Sequence, residues 1–263
     1  MSSPGQPVHR VRALARAETI LLWRNRLALL TALAVPAAFV PMLKAASGAS
    51  RSLGAGEILL TGLVAFALLF AVYYNLVAAL VARREQLVLK RLRAGECTDA
   101  EILAGTAAPA IAIAWAQIAV ATLAAVAVFR MARPANVVLV LVALVCGTAV
   151  FVLLAAVSAA VTQTVEMAQV TTLPVLVISF VSSGLLFPLT SLREPLRSAA
   201  ELLPLTPVVD LMRLGLTGTA ADGHHLGLGA TFGAASVPVI VLAAWIAAGG
   251  WGARRWFRWE PRR

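Results

Sequence analysis

Side chains able to do acid–base, nucleophilic or metal chemistry are few and scattered along this chain. Histidine occurs at His9, His224 and His225, cysteine at Cys97 and Cys146, and lysine at Lys44 and Lys90. His224 and His225 stand near Asp222 and could touch a metal, but neighbouring side chains on one short loop rarely close a coordination sphere without further ligands. A solvated loop explains them as well. No H-E-x-x-H and no C-x-x-C spacing is present. Ser182 and Ser183 precede Gly184 without a His or Lys base in the same apolar run, which leaves an intramembrane serine nucleophile unsupported. Lys44 is followed by Ala and Lys90 by Arg, so the chain has no G-x-x-x-x-G-K-[ST] phosphate loop and hydrolyses no nucleotide by itself. The reading is a non-enzyme with no catalytic residue, no metal site and no cofactor of its own.

The elements that would position any site are apolar helices. Of 263 residues, 60% are hydrophobic and only 13% charged, with a mean hydropathy of +0.88. A soluble domain of this length needs a surface roughly a quarter to a third charged, which these residues cannot supply. The class is an all-α integral membrane protein. Six apolar runs, each about the 17 to 25 residues or more that a bilayer demands, fall at 27–43, 58–82, 102–129, 135–161, 168–187 and 226–252. None contains Asp, Glu, Lys or Arg, and none shows the alternating polarity of a barrel strand. The whole of 1–263 reads as a single transmembrane domain. With Glu166 placed in a short interfacial turn, no group titrates at mid-membrane, so coupling to a proton or sodium gradient lacks its usual carboxylate or histidine. Energy for uphill movement would have to come from another chain.

Orientation follows the basic residues. Arg10, Arg12, Arg16, Arg24 and Arg26 lie in the N-terminal tail; Arg83, Arg84, Lys90, Arg91 and Arg93 follow the second run; Arg254, Arg255, Arg258, Arg262 and Arg263 close the chain. The other side holds Lys44, Arg51, Arg130, Arg133, Arg193, Arg197 and Arg213. This asymmetry places both termini in the cytoplasm, and the formal charge of +10 is mostly topology. A nucleic-acid partner is not expected, because the arginines hug membrane boundaries. In the 1–26 tail, Val8, Val11, Ala15 and Leu22 share a face flanked by arginines, the pattern of an interfacial helix against anionic lipid. A cleaved signal peptide ending near Ala45 and Ser47 is the competing reading of the first run.

Segment 83–101, RREQLVLKRLRAGECTDAE, sets Leu87, Leu89 and Leu92 among basic residues. Gly95 ends the basic stretch, and Thr98 to Glu101 has capping-box spacing before the third run. A short cytoplasmic helix with one apolar side is predicted. Further on, Leu192, Leu196, Ala199 and Leu203 recur as one helix face, and Pro204 and Pro207 break it. The segment 188–225 thus reads as a short external helical stretch before the last run.

These residues resemble the membrane subunits of ABC-2 type transporters, exporter permeases with a six-span, ABCG-like type V fold. The likeness rests on Arg83, Arg84 and Glu85 opening the second loop, on Leu92, Arg93 and Ala100 to Leu103 later in it, and on Ser183 to Gly218, with its Leu-Pro-Leu-Thr-Pro and Asp-x-x-Arg. Trp23-Arg24-Asn25 fits the connecting helix, although Arg26 stands where a Pro is usual. The resemblance implies two permease subunits, identical or sister chains, with two cytoplasmic ABC ATPase subunits that bind ATP and Mg. It implies that Arg83, Arg84, Glu85, Leu89, Leu92 and Arg93 serve ATPase coupling within an 83–101 coupling helix. A substrate path lined by the second and fifth spans would use Phe66, Phe70, Tyr73, Asn75, Phe180, Ser183 and Phe187; aromatics with a few polar tips suit a bulky hydrophobic or amphipathic drug, lipid, peptide or natural product. Packing or lipid contact explains any one of them equally well. The expected setting is the bacterial inner (plasma) membrane, and the expected role is efflux. The alternative is a non-transporting anchor or sensor subunit on the same scaffold.

Overall fold

The computed structural model describes residues 54–86, 98–186, 189–219 and 224–256. The tail and first span (1–43), the middle of the second loop, Phe187 and Asp222 lie outside the described residues. Among the described residues the fold is helical, and the one strand-like contact is an antiparallel bridge between Thr219 and His225. Five helices among the described residues are long and apolar enough to cross a membrane.

The first of these, α1, runs continuously over Ala55–Glu85. Its middle, Ala67–Tyr74, is wound as a π-helix between two α-helical halves, Ala55–Phe66 and Asn75–Glu85. Next come α2 (Asp99–Phe129), α3 (Val137–Val161) and α4 (Val165–Ser182). The chain then makes a 3-10 turn at Leu189–Ser191, a one-and-a-half-turn helix α5 (Leu196–Glu201), and α6 (Thr206–Thr217). A short α7 (Leu228–Ala234) leads into α8 (Ser236–Trp256).

α1 is the most buried of the five and forms the spine. Its first half packs on α2 and α6, its second half on α3 and α4, while α3 also carries α6 and α8. Lipid tails are as apolar as leucine, so such helices associate by close packing of small residues. Ala155, Ala156, Ala159 and Ala160 of α3 are at most 1% exposed, as are Val77, Leu80 and Val81 of α1, the half of that helix that packs on α3. Outward-facing Leu123 on α2, Val170 and Leu173 on α4 and Ile240 on α8 are more than half exposed, as lipid-facing residues should be.

Helix ends differ from the apolar runs for local reasons. The fifth run extends to 187, but α4 stops at Ser182: the Ser182 and Ser183 hydroxyls donate to the carbonyls of Ile178 and Phe180, and Gly184 follows at φ +78°. At the other end α4 begins at Val165, because Thr164 accepts from the Met167 N–H as N-cap. Glu166 therefore sits in the first helical turn. The last run is two helices meeting at Ala235.

The segment after α4 is the largest correction. The face expected to pack, Leu192, Leu196, Ala199 and Leu203, is not the buried one, and Leu196 is 63% exposed. Burial belongs instead to α6, where Val208, Leu211, Met212 and Gly215 recur at helical spacing on the covered side. The expected break at Pro204 and Pro207 is present: α5 ends at Glu201, and Pro207 stands in the first turn of α6, where the missing N–H costs nothing. α6 lies along α3: Val208 touches the Gly147 position near the middle of α3, and Gly215 meets Val140 and Asn136 at its start. The peptide N–H groups of Asn136 and Ala135 donate to the carbonyls of Gly215 and Leu216 at 2.8 and 3.2 Å. Trp245 of α8 holds the α5–α6 connection through a 2.8 Å bond from Nε1 to the Leu202 carbonyl.

Candidate coupling site

Both described ends of the second loop are anchored to helices. At the far end, Thr98 N-caps α2 in a reciprocal box. Thr98 N–H donates to Glu101 Oε2 at 2.6 Å, and the Glu101 N–H donates back to Thr98 Oγ1 at 3.3 Å. Asp99 and Glu101 put negative charge on the positive end of α2. The capping-box spacing read from the sequence is therefore present.

At the near end, α1 terminates in Arg83, Arg84 and Glu85, and the three side chains differ in environment. Arg83 is half-buried and Glu85 exposed, whereas Arg84 is 2% exposed. The Arg84 guanidinium turns inward onto carbonyls at and just beyond the end of α3. Nη1 donates to Ala159 at 2.9 Å, and Nη2 donates to Thr162 and, at 3.4 Å, to Gln163. Those carbonyls are the negative end of a helix dipole and lack intrahelical partners. Glu85 does the converse: its Oε1 accepts from the Val165 N–H at 3.2 Å, at the positive end of α4. One dipeptide thus places a cation on the C-terminus of α3 and an anion on the N-terminus of α4.

Behind this junction, Thr162 Oγ1 bonds the Ser158 carbonyl and Thr171 Oγ1, both at 2.8 Å, and joins α3 to α4. Ser158 Oγ lies 2.9 Å from Tyr73 Oη, in the π-helical part of α1.

The residues expected to line a path divide. Phe66 and Phe70 stack at 4.3 Å on the one strip of α1 that reaches the surface, and Asn75 is exposed near it. Tyr73 does not share that strip. It is fully buried, bonded to Ser158 and edge-on to Phe151 at 6.3 Å. A strip expected at α spacing is displaced because the π winding advances the chain by fewer degrees per residue. On α4, Phe180 is half-buried against the core; Ser183 is fully buried, its hydroxyl committed to the Phe180 carbonyl. Phe187, Leu89, Leu92 and Arg93 lie outside the described residues. His225 uses its backbone to bridge Thr219, so His224 and His225 stand beside the α6–α7 connection, away from the Arg84 junction.

The roles of Arg84 and Glu85 were only partly readable. Their types and position mark a boundary, but their partners are backbone groups that no residue type announces.

Long apolar helices, with charge at their ends and a capped loop rooted on three of them, define a multi-span membrane protein. The sequence matches the ABC-2 type transporter membrane family over residues 9–217, and the chain belongs to that family, whose members are transport subunits that work with ATPase partners. No curated protein matches the chain.

Proposed function

We propose that this chain is the permease subunit of an ATP-binding cassette exporter, and that 83–101 is the segment through which a separate ATPase drives it. The observation that carries this reading is the rooting of that segment: the Arg84 and Glu85 bonds fix its start on α3 and α4, and the Thr98–Glu101 box fixes its end on α2. A loop with mobile roots would absorb a push from a partner; a loop fixed on three helices passes it on. Leu89 and Leu92 supply the buried contact with the ATPase, and Arg93 with Arg83 helps orient the segment, since apolar anchors carry most of the energy of a small interface. ATP and Mg are held by two ATPase subunits, and a second permease copy or a sister permease completes the assembly. The substrate is hydrophobic or amphipathic and leaves the cell along the Phe66, Phe70 and Asn75 strip of α1, with Phe180 of α4 and Phe187 as further contacts. The setting is the inner membrane of a bacterium, with the Arg84 end of the bundle cytoplasmic.

The test replaces Leu89 and Leu92 with Asp in the complex with the ATPase. Insertion and expression should be unchanged, because both residues lie outside the apolar runs of the sequence, whereas permease-stimulated ATP hydrolysis should be lost. Hydrolysis stimulated to the same extent as in the parent would sink the coupling role.

A further inference from the structure

We infer that Arg84 and Glu85 do not dock the ATPase but are positioning residues, a clasp that makes the α3–α4 turn part of the moving unit. The inference rests on the coupling reading above and sharpens it. A residue meant for a partner's cleft should point outward, yet Arg84 is among the most buried polar side chains and spends its guanidinium on the carbonyls of Ala159, Thr162 and Gln163.

The order of the dipeptide fits this use. The C-terminus of α3 and the N-terminus of α4 are only a few residues apart, at 161 and 165, and carry opposite partial charges. Arg followed by Glu satisfies both from one helix end; the reverse order would set like charges against each other at both.

Packing by itself leaves this junction free to slip. α3, which packs on the second half of α1, carries Ala155, Ala156, Ala159 and Ala160 in its last turns, small buried residues that permit close approach but offer low ridges against axial sliding. Directional, charge-assisted bonds to fixed backbone atoms remove that freedom. A displacement at the root of the coupling segment then reaches α3 and α4 together with α1. Thr162 extends the same fixture, since its carbonyl takes the Arg84 bond while its hydroxyl bonds Thr171 on α4.

The experiment uses the complex with its ATPase in lipid nanodiscs, in a background with Cys97 and Cys146 replaced. Spin labels at Gln86→Cys and Glu166→Cys, both exposed positions, report the distance across the clasp before and after trapping with ATP and vanadate. The parent should keep one narrow distance in both states while its hydrolysis is stimulated by the permease. In Arg84→Gln and in Glu85→Gln, at equal assembly, the distance should broaden or shift on trapping. Stimulation should fall by about tenfold, the equivalent of one charge-assisted hydrogen bond. A disulfide between Glu85→Cys and Thr164→Cys should restore stimulation when oxidised and lose it when reduced, which a merely stabilising role would not produce.

If Arg84→Gln fails to assemble, Glu85→Gln and the disulfide pair still decide, because Glu85 is exposed. Unchanged stimulation and an unchanged distance in Glu85→Gln, with no redox dependence in the cysteine pair, would overturn the clasp. Absence of stimulation in the parent complex would instead overturn the coupling reading, and the clasp with it.

Discussion

Seating of α6 against α3 makes a sharp prediction at Gly215. A methyl group there would stand 2.6 Å from Val140 Cγ2, 2.9 Å from the Val140 nitrogen and 3.0 Å from the Asn136 carbonyl oxygen. Two of these neighbours are backbone, so a rotamer change cannot relieve the clash and α6 must move off α3. Overpacking of this kind costs about 1–3 kcal/mol. The shift also strains the bonds from Asn136 and Ala135 to the Gly215 and Leu216 carbonyls, each worth about 0.5–1.5 kcal/mol. Replacing Gly by Ala inside a helix returns roughly 0.5–1 kcal/mol. Gly215→Ala should therefore lose about 2–4 kcal/mol, a large fraction of the roughly 5–15 kcal/mol that holds a typical protein folded. Gly62→Ala is the control: nothing lies within 4 Å of its added methyl, so it keeps only the helix gain and should match or exceed the parent. Reversible unfolding in mixed micelles, followed by tryptophan fluorescence, measures both. A Gly215→Ala protein within about 0.5 kcal/mol of the parent, inside the usual range for harmless surface changes, would refute the close approach and the placement of α6 along α3.

Tyr73→Phe should cost about 0.5–1.5 kcal/mol, because it leaves Ser158 Oγ without the Tyr73 hydroxyl 2.9 Å away. In a double-mutant cycle with Ser158→Ala, measured by the same unfolding assay, the two losses should not add; additive losses would place the hydroxyls apart. Thr98→Ala should destabilise the start of α2 by about 0.5–2 kcal/mol, the usual cost of an N-cap, and hydrogen exchange at Asp99 to Ile102 should rise while exchange in α3 stays as in the parent.

What the sequence made legible was local chemistry. The Thr98 to Glu101 spacing specifies its own partners within one turn of helix, and the predicted box is there. Apolar length found the middles of five helices but not their ends, because Ser182, Ser183 and Gly184 end α4 by hydrogen bonding and positive φ while the apolar run continues. α6 escaped because its 12 residues, with Asp210 and Arg213 3.7 Å apart among them, are too short and too charged to read as a span. The spacing of Val208, Leu211, Met212 and Gly215 was the signal available. Arg84 shows the deeper limit: the residue type reads as a membrane-boundary charge, and only the fold brings the α3 carbonyls beneath it.

The π-helical stretch connects these results. Eight residues, Ala67–Tyr74, separate the half of α1 that bears Phe66 from the half that bears Arg84. Rotation accumulated along them sets the angle between the two halves, and a segment with i→i+5 bonds turns through less than the roughly 100° per residue of an α-helix. Were the stretch α-helical, Phe70 and Arg84 could not both hold their present directions. Either Phe70 would leave its stack with Phe66, or Arg84 would leave the α3 carbonyls and swing toward solvent or lipid. The burial of Tyr73, its bond to Ser158 and its contact with Phe151 fix the far end of the stretch. The aromatic strip and the clasp are therefore set by one phase relation along α1, and a force that rotates the Arg84 end has a direct mechanical route to the Phe66 and Phe70 surface.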